Sequence, residues 1–342
     1  MNIGILTGGG DCPGLNAVIR AIVKRGHQFG YDFTGIRDGW KGLVEPMTMK
    51  LTLDAVSGIL PTGGTILGTS RTNPMKSEKD TGAVINNIKA LGLDVVIAIG
   101  GDDTLGVATK LSAKGLKMIG VPKTIDNDLS GTDATFGFDT AVSIVTWALD
   151  RLHSTTESHH RVMVVEVMGR HAGWIAVHGG LAGGADIILI PEKPFDIDAV
   201  CKVVSARRQN GKNFSLVVAA EGAYPKEVSG IITKDKELDA FGHAKLGGIG
   251  EFLAKEIEER TGIESRHVVL GHLQRGGTPT AYDRILATRY GVAAIELVHA
   301  GKFGRMVALR GNDIIDVSLA DATSKTRTVD PETYRIAEIF FG

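Results

Sequence analysis

The sequence predicts an α/β protein with two doubly wound, Rossmann-like domains. Three observations carry that reading. Short apolar runs alternate with amphipathic helical patterns along nearly the whole chain, the order that builds a parallel sheet covered by helices. Several runs end in glycine beside carboxylate, lysine, arginine or threonine, as at Gly100-Gly101-Asp102-Asp103-Thr104 and Pro122-Lys123-Thr124-Ile125-Asp126-Asn127-Asp128. The length, 342 residues, suits two domains or one large one.

Taken in order, Ile3 to Leu6 reads as a strand, Gly8-Gly9-Gly10-Asp11-Cys12-Pro13-Gly14 as a turn, and Leu15 to about Arg25 as a helix with Leu15, Val18, Ile19, Ile22 and Val23 on one face. Phe33 to Ile36 is a strand, followed by a glycine-rich stretch through Arg71 to Pro74. Ser77 to Leu91 is helical and leads into the strand Val95 to Ile99, the helix Leu105 to Lys114 and the strand Met118 to Val121. Phe138 to Glu157 is a long helix, and Val162 to Val167 a strand ending in Met168-Gly169-Arg170. Helix Trp174 to Ala182, strand Ile187 to Ile190, helix Ile197 to Arg208 and strand Leu216 to Ala220 continue the alternation, the last ending in Glu221. Helix Ile249 to Arg260, strand His267 to Leu270, helix Tyr282 to His299, strand Val307 to Leu309 and helix Pro331 to Phe340 complete it. The segment 223–247 is polar and weakly periodic, so it is expected to be a surface insertion. One domain is expected over 1–137 with a returning segment at about 278–305, the other over 138–277 with the C-terminal part.

Hydrophobic residues at 43% and charged residues at 23% are ordinary globular composition. A net charge of -1 gives no global pull toward nucleic acid or an anionic membrane, so affinity for a polyanion has to come from local clustering. Two cysteines, Cys12 and Cys201, supply neither a disulfide framework nor a zinc site, which fits a reducing cytosol. The start MNIGILTGGGD enters a strand without a signal-peptide pattern, and a cytoplasmic protein is the expectation.

The C-terminal edge of an open parallel sheet is where ligands bind. Hard carboxylates beside exposed backbone amides suit a phosphate with Mg²⁺. The glycine turn Gly8 to Gly14 is neither a dinucleotide fingerprint nor a Walker A, and alone reads equally well as a tight βα turn. Distant strand ends nevertheless present Asp102-Asp103, Lys123 to Asp128, Arg161, Arg170, Glu221, Arg266 and His272-Leu273-Gln274-Arg275, more than surface solvation explains. Arginines suit a phosphate monoester because their planar fork donates bidentately.

Gly8 to Asn16, Gly100-Gly101-Asp102, Pro122 to Asp128, Val165-Glu166-Val167-Met168-Gly169-Arg170 and Gly271 to Gly277 closely resemble, in order, the motifs of the 6-phosphofructokinase family. The resemblance implies transfer of a phosphoryl group to the 1-hydroxyl of fructose 6-phosphate. It makes Asp126 the general base, Asp102 the Mg²⁺ holder, and Thr124 and Asp128 supports for the sugar and the base. Arg161, Arg266, His272 and Arg275 would grip the 6-phosphate, Arg161 and Arg266 from a neighbouring subunit, so a homodimer or homotetramer is expected. Met168, Gly169 and Arg170 would line the sugar site, Leu273 and Gln274 would bind substrate from the loop of His272 and Arg275, and Glu221 would accept sugar hydroxyls. Gly10, Arg71, Asp103 and Thr104 would attend the phosphoryl donor, with Lys123, Asp103 and Arg170 acting with Asp126 around the transferred group. The first domain would then hold donor and metal, the second the sugar phosphate.

ATP-using members commonly carry glycine where this chain has Asp103 and Lys123. The pair resembles the pyrophosphate-dependent members, with ATP dependence the alternative. A NAD or lipid kinase also shares a G-G-D motif but has no need of Arg170 and His272 to Arg275, and a non-catalytic sugar-phosphate sensor has no need of Asp126 and Asp102. His153, Asn213 and Phe214 stand where regulated members would carry basic effector-binding residues, so weak or absent allostery is expected.

Overall fold

The structure is a computed structural model; it describes every residue except 228–232, 239, 240 and 243, and only the backbone of 233–238, 244 and 245. Seven strands form the larger sheet: β1 (Asn2–Thr7), β2 (Asp32–Ile36), β3 (Thr48–Lys50), β4 (Val95–Gly100), β5 (Met118–Pro122), β12 (Arg305–Arg310) and β13 (Asp313–Ser318). Four form the smaller: β6 (Val162–Val167), β7 (Ile187–Leu189), β8 (Ser215–Ala220) and β11 (Ser265–Val269). β9 (Thr233–Leu238) and β10 (Ala244–Leu246) make a separate antiparallel ribbon inside the expected insertion, part of which lies outside the described residues. The helices are α1 (Leu15–Gln28), α2 (Lys41–Val44), α3 (Glu78–Ala90), α4 (Asp102–Ala113), α5 (Phe138–Ser158), α6 (Trp174–Ala182), α7 (Ile197–Gln209), α8 (Ile249–Thr261), α9 (Ala281–His299), α10 (Leu319–Ala322) and α11 (Pro331–Glu338).

The large sheet is ordered β13-β12-β5-β4-β1-β2-β3 and the small one β11-β6-β8-β7, each with a parallel centre. Central strands β1, β4 and β6 are apolar runs with no alternation because helices cover both faces. From β1 the order departs to β2 on one side and to β4 on the other, a topological switch point that opens a crevice beyond the carboxyl ends. One hydrophobic cluster runs from Ile3 and Ile97 of the large sheet through α1, α5 and α9 to Val165 and Val218 of the small one. Gly291 makes the α1–α9 contact possible, since a Cβ there would lie 2.7 Å from Ala21 Cβ and 2.8 Å from Val18 O.

Three departures from expectation have clear reasons. α4 begins at Asp102 rather than Leu105, because carboxylates in a first turn complement the helix dipole and let the helix reach back to the glycines. β3 and β13 are antiparallel edge strands of partly exposed residues, too short or too weakly alternating to read as strands. Both β12 and β13 pair onto the large sheet, so the chain stays with that sheet to Ser318, past the expected return at 305, before α11 packs against β7 and α6.

Candidate active site

The glycine turn after β1 is held open by backbone and lysine together. Gly8 N donates to Ile99 O at 3.0 Å, and Gly9 N to Ser70 O at 3.2 Å. Lys123 Nζ donates to Gly8 O at 2.9 Å and also to Gly10 O. This buried ammonium is pulled below its ordinary pKa chiefly by desolvation, and carbonyl contacts keep it in place. Gly10 has a packing reason: a Cβ there would sit 2.5 Å from Arg275 Nη1. Arg275 crosses from the loop after β11 to donate from Nη1 to Asp11 O at 3.3 Å.

The loop after β5 carries the acidic centre. Thr135 Oγ1 donates to Thr124 O at 2.7 Å and Thr135 N to Asn127 Oδ1 at 3.0 Å, while Asp126 N donates to Thr124 Oγ1 at 3.0 Å. Asp126 is buried, and its Oδ1 finds no hydrogen-bond partner among the described residues. Such an oxygen is suited to a proton delivered by a ligand. Asp128 is pushed up to about 7, first by desolvation and then by the charge of Asp126.

From the small sheet, the loop after β6 enters with Gly169 at φ 144° and Arg170 at φ 52°. Arg170 N donates to Glu221 Oε1 at 3.2 Å, and Arg170 Nη1 lies 4.0 Å from Asp103 Oδ2. Glu221 is also raised to about 7, by desolvation and then by Asp126. Gln274 is fully buried, accepting from Met168 N at 3.3 Å and donating to Gly271 O at 3.1 Å, so it ties two loops together.

These loops close one cavity. Gly10, Arg71, Asp102, Asp103, Thr104, Lys123, Thr124, Asp126, Asp128, Arg170 and Arg275 line it, together with Gly9, Gly101, His171 and Thr326. Of the residues expected at the site, Glu221 and Gln274 are outside the lining and bind the backbone amides of Arg170 and Met168, and Met168 and Gly169 belong to the β6 loop without lining the cavity. His272 and Leu273 are exposed on the one-turn helix Gly271–Arg275. Arg161 and Arg266 are outside the wall, both turned to Glu264, with nitrogen–oxygen separations of 3.7 Å and 2.9 Å. His153 and Phe214 meet edge to face, ring centroids 4.8 Å apart. His171 adjoins a motif and could have been suspected from it, whereas Thr326 sits in a segment without motif or periodicity.

The wall carries four carboxylates and four cations, a mixture that suits an anion accompanied by a metal. Among the described residues no group of three or more His, Cys, Asp or Glu is poised to hold a metal. One or two carboxylates with ligand phosphate oxygens are the usual company of Mg²⁺, and Asp102 and Asp103 lie in the same wall as Asp126 and Asp128. The donor set therefore fits Mg²⁺ bound with a phosphate.

The family model described as phosphofructokinase matches residues 2–298. Over its whole length the chain is 60% identical to a pyrophosphate–fructose 6-phosphate 1-phosphotransferase of Streptomyces coelicolor, covering 100% of both chains. It is also 56% identical to the ATP-dependent 6-phosphofructokinase 3 of the same organism, covering 99% of each. Among solved structures, the T-state phosphofructokinase of Pichia pastoris superposes with a TM-score of 0.84 at 33% identity, over 99% of this chain and 38% of that longer one. No helix of the described residues is long and apolar enough to cross a membrane.

Proposed function

The chain belongs to the phosphofructokinase family, and on that premise we propose that it is a pyrophosphate-dependent 6-phosphofructokinase. It moves a phosphoryl group from pyrophosphate to the 1-hydroxyl of fructose 6-phosphate, giving fructose 1,6-bisphosphate and phosphate, reversibly. The observation that carries the donor assignment is the Asp103 carboxylate in the cavity wall, beside Lys123 and Arg170. Two like charges ~4 Å apart cost ~4 kcal/mol at an effective dielectric near 20. At ~1.4 kcal/mol per tenfold, that is roughly a thousandfold against a nucleotide whose innermost phosphate passes Asp103. Arg170 offsets part of that charge, so the figure is an upper bound, and the carboxylate's bulk adds to the exclusion. Pyrophosphate lacks the third phosphate and avoids the penalty.

In the reaction, Asp126 accepts the proton of the 1-hydroxyl while that oxygen bonds to the transferred phosphorus and the bridging P–O bond breaks, releasing phosphate. Lys123 and Arg170 balance the negative charge that accumulates, a contribution of ~10²–10³ in rate at comparable sites. Asp102 would hold Mg²⁺ with the donor oxygens, and the ion supplies charge neutralisation there. Thr124 and Asp128 position the sugar, Arg275 takes the 6-phosphate with His272, and Arg71, Gly10 and Thr104 attend the donor. The loops on the large sheet thus handle donor, metal and the reacting end of the sugar, and those on the small sheet the 6-phosphate and, through Arg170, the charge of the transferred group. Arg161 and Arg266 serve the 6-phosphate site of a neighbouring subunit in a homodimer or homotetramer, which their position outside this chain's cavity supports. A cytoplasmic setting agrees with this chemistry.

The reverse reaction provides a test. With fructose 1,6-bisphosphate, inorganic phosphate and Mg²⁺, pyrophosphate should appear together with fructose 6-phosphate; ATP formed from ADP with no pyrophosphate formed from phosphate would reject the donor assignment.

A further inference from the structure

Asp126 and Asp128 flank Asn127, whose backbone lies at φ 54°. Asparagine tolerates that left-handed conformation better than most side-chain-bearing residues, and contacts on both sides of the loop hold it there. Thr135 secures the loop from one side. On the other side a strap, residues 325–329, runs antiparallel to it. Leu129 and Thr326 form an isolated antiparallel bridge, and Ser130 Oγ donates to Lys325 O at 2.9 Å. Arg327 N donates to Asp128 O at 2.7 Å, and Arg327 Nη1 to Asn127 O at 3.1 Å. A charged donor on a carbonyl is among the stronger hydrogen bonds.

Arg327 is itself anchored on the half built on the small sheet. Its guanidinium carbon lies 4.2 Å from the ring centroid of Trp174, the first residue of α6, and Trp174 Nε1 donates to Arg327 O at 3.0 Å. Two residues on, Val329 N donates to Glu192 Oε1 at 2.9 Å. The side chain does not line the cavity, so it can act only through the loop it grips.

We propose that Arg327 is a positioning residue that clamps Asn127 in its left-handed conformation, fixing the Asp126 and Asp128 carboxylates for phosphoryl transfer and coupling their loop to α6. The inference rests on the phosphoryl-transfer reading of the cavity. It is tested on the full chain with Arg327→Ala and Arg327→Lys, by steady-state kinetics and by amide hydrogen exchange over residues 123–130. Displacing a catalytic group by about 1 Å can cost about a hundredfold, so Arg327→Ala should lower kcat roughly ten- to hundredfold with both KM values little changed. Exchange over 123–130 should quicken while β4 and β6 keep their protection, and Arg327→Lys should recover much of both properties. Unchanged exchange in Arg327→Ala overturns the clamp, as does a wild-type kcat. A lysine variant as impaired as the alanine one, with thermal stability lowered equally in both, also overturns it by making the role merely structural. If the unaltered chain turns over neither pyrophosphate nor ATP, the functional reading fails, while the exchange result still decides whether Arg327 holds the loop.

Discussion

Arg170 Nη1 and Asp103 Oδ2 stand 4.0 Å apart, an ion pair joining the loop after β6 to the start of α4. Arg170 adopts φ 52°, and its amide is bound by Glu221, so the guanidinium is delivered by a strained and fastened backbone. In the proposed reaction Asp103 would both exclude and orient: its charge would oppose a longer donor and steady a cation beside the transferred group.

Asp103→Gly should therefore damage pyrophosphate use without creating an ATP enzyme. The variant loses the carboxylate that Arg170 faces at 4.0 Å, and kcat/KM for pyrophosphate is expected to fall roughly tenfold or more. Adding Lys123→Gly also frees Gly8 O and Gly10 O from their ammonium and should deepen the loss. Initial rates with both donors check this; a double variant that prefers ATP would show that no nucleoside pocket was lacking.

Asp126→Asn removes the proposed base but little volume. We expect kcat to drop by ~10²–10⁴ with KM for fructose 6-phosphate nearly unchanged. Near-normal turnover would transfer the role of base to another group.

The pH dependence follows from Asp128 and Glu221, both raised to about 7, chiefly by desolvation. In the unfolded chain such carboxyls release their protons near pH ~4. The folded state retains protons that the unfolded state has shed, so this contribution is complete below the unfolded value and disappears as pH rises through about 7. The thermal midpoint of the ligand-free protein should accordingly decline between about pH 5 and 8, less steeply in Asp128→Asn and Glu221→Gln. A slope identical in all three proteins would mean that neither group retains its proton.

Arg161 and Arg266 face Glu264 rather than their own cavity, which makes the subunit proposal testable by mixing. Asp126→Asn and Arg266→Ala chains, each impaired alone, should regain activity when dissociated and reassembled together. No recovery in verified hybrids would confine each site to one chain.

How much of this could be read beforehand differs from element to element. The runs ending at Gly100, Pro122 and Val167 are visible because strands buried on both faces must be continuously apolar, and charged groups soon past each of them line one cavity. The bond from Arg275 to Asp11 O, spanning 264 positions, leaves no local trace. Gln274 is buried and bonds Met168 N and Gly271 O, a link between two loops that its place in a polar motif does not announce. Thr326 and Arg327 lie in a stretch without periodicity, and only the path of the strap brings them to the acidic loop.

The measurement that most directly tests the central claim is kcat/KM for pyrophosphate and for ATP, determined side by side with saturating fructose 6-phosphate and Mg²⁺. The account predicts higher efficiency with pyrophosphate, up to roughly a thousandfold before the Arg170 offset. Equal or higher efficiency with ATP would contradict it.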